Sequence, residues 1–223
     1  LTRSSAASDV YKRQLSGSLE SNSLYQNQGN GTFVEVTAAA GVGSMRPTLV
    51  SAFMDYDEDG WVDLMLCNDK GQTFGANELY RNNGDGTFTD VSVQTGTNVV
   101  MDGMGIDFTD VFCDGGVDFY VTDLPTDHLF QLWDPTTSAY LDATATYGLL
   151  GGGTGWACNW FDYDNDGWQD LHVVQNAAPN KIYQNPAQPA AAQIPWANRS
   201  AALGMNHVFY QFANVIADFD DDG

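Results

Sequence analysis

Apolar residues along this chain come in short runs, rich in β-branched and aromatic side chains, and each run is closed by Gly, Asn or Asp. Runs of this kind predict strands joined by turns. Between 49 and 91 they predict four strands, near 49–54, 62–67, 77–82 and 87–91. No segment of useful length carries its apolar residues at the helical period. Pro186, Pro189 and Pro195 break the one Ala-rich stretch that could suggest a helix.

The pattern repeats. DYDEDGWVDL (Asp55 to Leu64) returns as DYDNDGWQDL (Asp162 to Leu171), with DVFCDGGVDF (Asp110 to Phe119) between them and DFDDDG (Asp218 to Gly223) at the end. Their first aspartates are 55, 52 and 56 residues apart. A second signature keeps the same beat: LYQNQGNGTFVEVT from Leu24 matches LYRNNGDGTFTDVS from Leu79, and worn copies start at Leu129 and Ile182. Their aromatic position, held by Phe33, Phe88, Tyr140 and Trp196, recurs at the same 55, 52 and 56. Two signatures in one register make each repeat a structural unit. Four strands in about 54 residues, repeated, predict an all-β β-propeller of four-stranded blades rather than a sandwich.

Composition then narrows the chemistry. Asp and Glu number 29 against 8 Lys and Arg, a formal charge of −21, which argues against a nucleic-acid surface or an anionic membrane as partner. Only four of the acids are Glu, so 25 are Asp, a residue suited to loops that hold cations rather than to helix interiors. No apolar run is long enough for a membrane-spanning helix. Cys67, Cys113 and Cys158 match no zinc or redox spacing.

In DxDxDGxxD the carboxylates fall at positions 1, 3, 5 and 9, with Gly at 6 for the turn. Oxygen ligands on alternate residues of a tight loop suit calcium, which takes about six to eight oxygens. The first loop offers Asp55, Asp57, Asp59 and Asp63 with the Trp61 carbonyl, and the second offers Asp162, Asp164, Asp166 and Asp170 with the Trp168 carbonyl. Two carboxylates about 5 Å apart repel by about 3 kcal/mol at an effective dielectric of ~20, so a plain turn has no use for four. The middle copy keeps Asp110, Asp114 and Asp118 but has Phe112 at position 3, and whether it is a site or a turn stays open. The last copy supplies Asp218, Asp220 and Asp222 and is a site by analogy alone. An EF-hand needs Glu at position 12, where Leu66, Val121 and Val173 stand, and both EF-hands and dockerins need a helix where this chain predicts a strand.

DxDxDGxxDL followed by LYRNNGDGTFTDV resembles the FG-GAP and VCBS repeats of integrin-α-like propellers, most of all the ASPIC/UnbV and cartilage acidic protein group. The resemblance spans nearly all of 20–223. It implies a propeller of commonly seven blades with calcium in loops between blade strands, of which this chain would hold about four. On that basis 15–223 are expected to be propeller repeats truncated at the C-terminus. The basic stretch LTRSSAASDVYKRQ, residues 1–14, resembles none of them and reads as a non-native, adapter-derived leader.

No catalytic motif stands out. His128, His172 and His207 share no metal spacing, and neither GxSxG nor HExxH occurs. GLLGGGTGWA (Gly148 to Ala157) lacks the Lys-Ser/Thr pair of a phosphate loop and reads as a close-packed entry to an inner strand. A carboxylate bound to calcium stays ionised and makes a poor general acid. The expected function is a non-catalytic, calcium-binding propeller module, secreted, periplasmic or on the cell surface, with a protein or glycan partner and no membrane insertion. The alternative is the accessory propeller of a larger secreted enzyme such as a polysaccharide-acting lyase. Asn30-Gly31-Thr32 and Asn198-Arg199-Ser200 also match the glycosylation sequon.

Overall fold

The structure, a computed structural model, describes residues 4–6, 21–124, 128–208 and 210–217. Asp218, Asp220 and Asp222 lie outside the described residues, so the terminal copy of the loop has no structural account. The chain divides into two units, Leu1–Gly103 and Met104–Gly223, and each holds two sheets.

In the first unit, β1 (Ser4–Ala6), β2 (Leu24–Asn27) and β3 (Phe33–Glu35) form a three-stranded antiparallel sheet, followed by a single helical turn, α1 (Thr37–Ala40). β1 comes from the stretch set apart from the repeats in sequence, and its Ser4 and Ala6 pair with Gln26 and Leu24. The second sheet is a meander of β4 (Thr48–Met54), β5 (Asp63–Asn68), β6 (Glu78–Asn82) and β7 (Phe88–Asp90), with the turn α2 (Gly71–Phe74) between β5 and β6. All four strands fall within two residues of the expected bounds. Leu24, Ala40, Val42, Leu64, Leu66 and Tyr80 make the core between the two sheets.

The second unit repeats the plan. β8 (Gly105–Thr109), β9 (Asp118–Thr122), β10 (Leu129–Asp134) and β11 (Ala139–Asp142) form one meander, closed by α3 (Thr144–Tyr147). β12 (Thr154–Phe161), β13 (Asp170–Asn176), β14 (Lys181–Gln184) and β15 (Ala197–Asn198) form the other. Its core joins Tyr120, Phe130, Tyr147, Trp160, Leu171 and Val173. The Ala-rich stretch takes only a short 3₁₀ turn, Ala190–Ala192, as its prolines require.

Sequential four-stranded antiparallel meanders make this a propeller-like all-β fold, and the burial pattern follows strand order within a blade. Every residue of β5 and β9 is buried, which accounts for their unbroken apolar runs, whereas the last strand β7 is mostly exposed. The first strands β4, β8 and β12 are mostly half-buried. Within the second unit, a Cβ on Gly105 of β8 would come 2.9 Å from the Ala157 Cα of β12, so this contact needs glycine. The glycine-rich stretch leading into β12 is close-packed at Gly153 and at Gly155 within the strand, where a Cβ would lie 2.7 Å from the Ala178 Cβ and 2.5 Å from the His128 ring, respectively, but open at Gly152.

Each blade closes on one clasp. The backbone N–H at the start of β2, β6, β10 and β14 meets a hydroxyl just past the last strand: Leu24 to Thr37 (2.7 Å), Leu79 to Ser92 (2.9 Å), Phe130 to Thr144 (2.7 Å) and Ile182 to Ser200 (2.7 Å). An acid or amide two residues earlier, Glu35, Asp90, Asp142 or Asn198, accepts from the same Ser or Thr backbone N–H. The sequon at Asn198 is therefore the fourth copy of this clasp. The sequon at Asn30 is likewise an Asx turn onto Thr32, which the next repeat makes with Asp85 and Thr87. After each clasp the chain turns through a left-handed glycine, Gly41, Gly96, Gly148 and Gly204, at φ between 70° and 76°.

Candidate metal centre

The DxDxDG loops join the first and second strands of a blade. In all three described copies the residue at position 4 is left-handed, Glu58 at φ 56°, Cys113 at 52° and Asn165 at 57°, and the position-6 glycines Gly60, Gly115 and Gly167 lie at φ 88°, 93° and 90°. One backbone path is thus used three times. Position 1 holds it from inside: Asp55 accepts from Gly60 N (3.0 Å), Asp110 from Asp114 and Gly115 N (3.0 Å each), and Asp162 from Asp166 (3.0 Å) and Gly167 N (2.7 Å). Position 5 makes an Asx turn in which Asp59, Asp114 and Asp166 each accept from the N–H two residues on.

Position 9 is the first residue of the second strand and is fully buried as Asp63, Asp118 and Asp170. Its two carboxylate oxygens are committed in the same way each time. One accepts from the position-2 N–H, Tyr56 at 3.1 Å, Val111 at 3.3 Å and Tyr163 at 3.1 Å. The other accepts from the hairpin side, Asn82 at 2.7 Å, Trp133 at 2.9 Å and Asn185 at 2.7 Å. This residue is a staple between loop and third strand, a role the spacing does not reveal. Burial raises its pKa despite the two N–H bonds, to about 7 at Asp63, about 8 at Asp118 and about 6 at Asp170.

Among the described residues, two groups of aspartates bring carboxylate oxygens within 4.8 Å of one another: Asp55, Asp57 and Asp63, and Asp162, Asp164 and Asp166. Either group could hold a metal ion. Asp59 stands outside the first trio and Asp170 outside the second, each engaged by backbone N–H groups. Trp61 and Trp168 donate their N–H to position 5; the Trp61 ring is half exposed over Gly84, and Trp168 packs on the core.

The first trio passes a test that the sequence cannot apply. Asp55 Oδ1 and Asp57 Oδ1 are buried and have no hydrogen-bond partner, which costs free energy unless a cation meets them. Burial, then the neighbouring charges of Asp59 and Asp55, pushes the Asp57 carboxyl up. In the second trio Asp164 is exposed and accepts a hydrogen bond from Gln184.

Asp110, Asp114 and Asp118 form no such trio. Phe112, at position 3, is buried in the core, 5.2 Å from the Tyr147 ring and 6.4 Å from those of Phe130 and Trp196.

Two of the three histidines, His128 and His172, are tied into the fold. His128 is buried between Tyr120 Oη (2.9 Å) and Gly153 O (3.1 Å), and His172 meets Asn214 at 3.0 Å. A comparison with curated proteins finds no match to the chain. The sequence pattern of the FG-GAP-like repeat matches residues 9–66 and again 55–121, two copies that share the first DxDxDG loop and together span half of the 223 residues. With the blade plan and the loops repeated beyond that span, the chain belongs to the FG-GAP-like repeat family.

Proposed function

We propose that this chain is a calcium-stabilised propeller module without catalytic activity, carried by a secreted, periplasmic or surface protein and presenting its blades to a protein or glycan partner. The observation that carries the calcium reading is the pair of buried, unpartnered oxygens of Asp55 and Asp57 facing Asp63. A hard cation there would be held by Asp55, Asp57 and Asp63, and in the second complete loop by Asp162, Asp164 and Asp166. It would supply charge neutralisation within the loop and nothing to turnover. All-oxygen ligand sets of this kind suit calcium over softer metals. The position-7 carbonyls of Trp61 and Trp168 are the added ligands this reading proposes.

Export fits the same chemistry, since extracellular calcium modules work at about 10⁻⁴ to 10⁻³ M. Among the described residues no helix is long and apolar enough to cross a membrane. The non-catalytic reading is supported by what occupies the titratable side chains: His128 bonds the Tyr120 hydroxyl and the Gly153 carbonyl, His172 meets the Asn214 amide and the Phe161 ring, and the position-9 aspartates staple the blades. The likeness to the ASPIC/UnbV group rests on the motif pair alone. Calorimetry with calcium, in wild type and in Asp57→Ala with Asp164→Ala, tests the proposal. Binding heat is expected in the wild type and lost in the double variant; unchanged heat in that variant would overturn the ligand set.

A further inference from the structure

We infer that the middle loop, Asp110 to Asp118, has exchanged its ion for an aromatic plug and holds its shape without calcium. The inference rests on the calcium reading for the other two loops and adds which loop stands apart from it, and by what means.

The backbone supplies the first step. The middle loop has the same left-handed position 4, the same positive φ at Gly115, the same caps from Asp110 and the same staple from Asp118 as the two loops with an aspartate trio. Loop conformation is therefore not what distinguishes them. Position 3 is. Where Asp57 has a buried oxygen without a partner, Phe112 has a ring inside the core, against Tyr147, Phe130 and Trp196. A ring there removes one ligand and draws the loop onto apolar neighbours.

Three further positions change with it. In the second blade, Trp61 at position 7 lies over Gly84 of the hairpin, so close that a Cβ on Gly84 would be 2.9 Å from the indole. In the third blade the partners are reversed. Gly116 holds position 7, and Trp133 from the hairpin strand packs on it, 3.0 Å from where a Cβ would stand. With Trp133 in place of Asn82, the amide that donates to the position-8 carbonyl in the second blade, Asn82 Nδ2 to Val62 O at 3.0 Å, is lost. Tyr140 takes over this bond, its hydroxyl donating to Val117 O at 2.9 Å while its ring meets Trp133 at 5.0 Å. The position-8 carbonyl thus keeps a donor while the packing around the loop is rebuilt from aromatic rings. From the fourth blade, Asn185 Nδ2 adds a bond to Val111 O at 3.3 Å.

The test uses the full chain and calcium itself. Asp57→Asn, Asp164→Asn and the pair Asp110→Asn with Asp114→Asn are titrated by calorimetry, and hydrogen exchange is followed with calcium and with chelator. Asp57→Asn and Asp164→Asn are each expected to remove one equivalent of calcium, and the Asp110/Asp114 pair none. Chelator is expected to speed exchange at least tenfold in peptides covering 55–63 and 162–170 and to leave 110–118 unchanged. Phe112→Ala is expected to speed exchange in 110–118 equally with and without calcium. Loss of an equivalent in the Asp110/Asp114 pair, or chelator-sensitive exchange in 110–118, overturns the inference. If no variant alters calcium uptake and chelator moves no loop, the calcium reading itself fails instead.

Discussion

Asp118 shows what a single carboxylate does when strand geometry claims both its oxygens. It is buried, accepts from Val111 N and Trp133 N, and belongs to no aspartate trio, so stapling is the role its contacts define. Replacing it with Asn would aim an amide N–H at one of two backbone N–H donors, a loss of about 2 to 3 kcal/mol. Thermal melting of Asp118→Asn in chelator and in calcium should show a similar drop in both. Its proton adds a pH signature. The group ionises near 3.9 when unfolded but is raised by burial to about 8 in the fold. Below about 4 both states hold the proton, and no difference arises. From about 4 to 8 the unfolded chain releases it while the fold retains it, so stability falls as pH rises through this window and levels off above it. Melting temperature in chelator should therefore be higher at pH 5 than at pH 8. Asp63 and Asp170, raised to about 7 and about 6 by the same burial, add to that slope, so Asp118→Asn should lessen it, most of all above about pH 7, and an unaltered slope would assign the effect elsewhere.

At the scale of the blade, the clasp carries a similar consequence. Thr144 Oγ1 accepts from the buried N–H of Phe130, and Asp142 holds the hydroxyl in place at 2.7 Å. Thr144→Val keeps the shape and removes the acceptor, leaving a buried N–H unsatisfied at about 1 to 3 kcal/mol. Ser92→Ala should do the same to Leu79, and equilibrium denaturation of either variant measures it. A loss below about 0.5 kcal/mol in both would mean that the hydroxyls only accompany the turn. Strand positions, the repeat register and the acidic loops were all legible in the sequence, because alternation, turn residues and a fixed spacing are local signals. The clasp was partly so: its Ser or Thr and its following glycine keep the 55, 52, 56 beat, yet at Asn198 the motif reads as a sequon. The one-turn helices α1, α2 and α3 escape pattern analysis because four residues show no period. The staple at position 9 escapes it for another reason. In the sequence an aspartate of an acidic loop reads only as a ligand. Strand register alone shows that backbone N–H groups also hold it, whether it joins a trio, as Asp63 does, or stands outside one, as Asp118 and Asp170 do. Phe112 leaves the middle site undecided in sequence, since the rings that receive it, Tyr147, Phe130 and Trp196, are as many as 84 residues away.

For the whole chain the formal charge of −21 sets the terms on which calcium acts. Two ions, each bringing two positive charges, reduce it to −17, and they do so where carboxylates crowd most closely. The two aspartate trios belong to different units and share no ligand, so their contributions should nearly add. At 100 times its dissociation constant one site adds about 2.7 kcal/mol, against a typical domain margin of about 5 to 15 kcal/mol. Calcium should therefore raise the melting temperature, Asp57→Ala and Asp164→Ala should each remove part of the rise, and the double variant should remove nearly all of it. Salt separates neutralisation at the site from general screening. In chelator the melting temperature should climb between 0.05 M and 0.5 M sodium chloride, because screening relieves repulsion between exposed carboxylates over about a Debye length. In the presence of calcium that climb should shrink, since the closest repulsions are already cancelled. An ion serving turnover predicts the opposite arrangement, in which one substitution abolishes an activity and scarcely moves the melting curve. Should calcium leave the melting temperature unchanged at both salt concentrations, a structural ion is excluded.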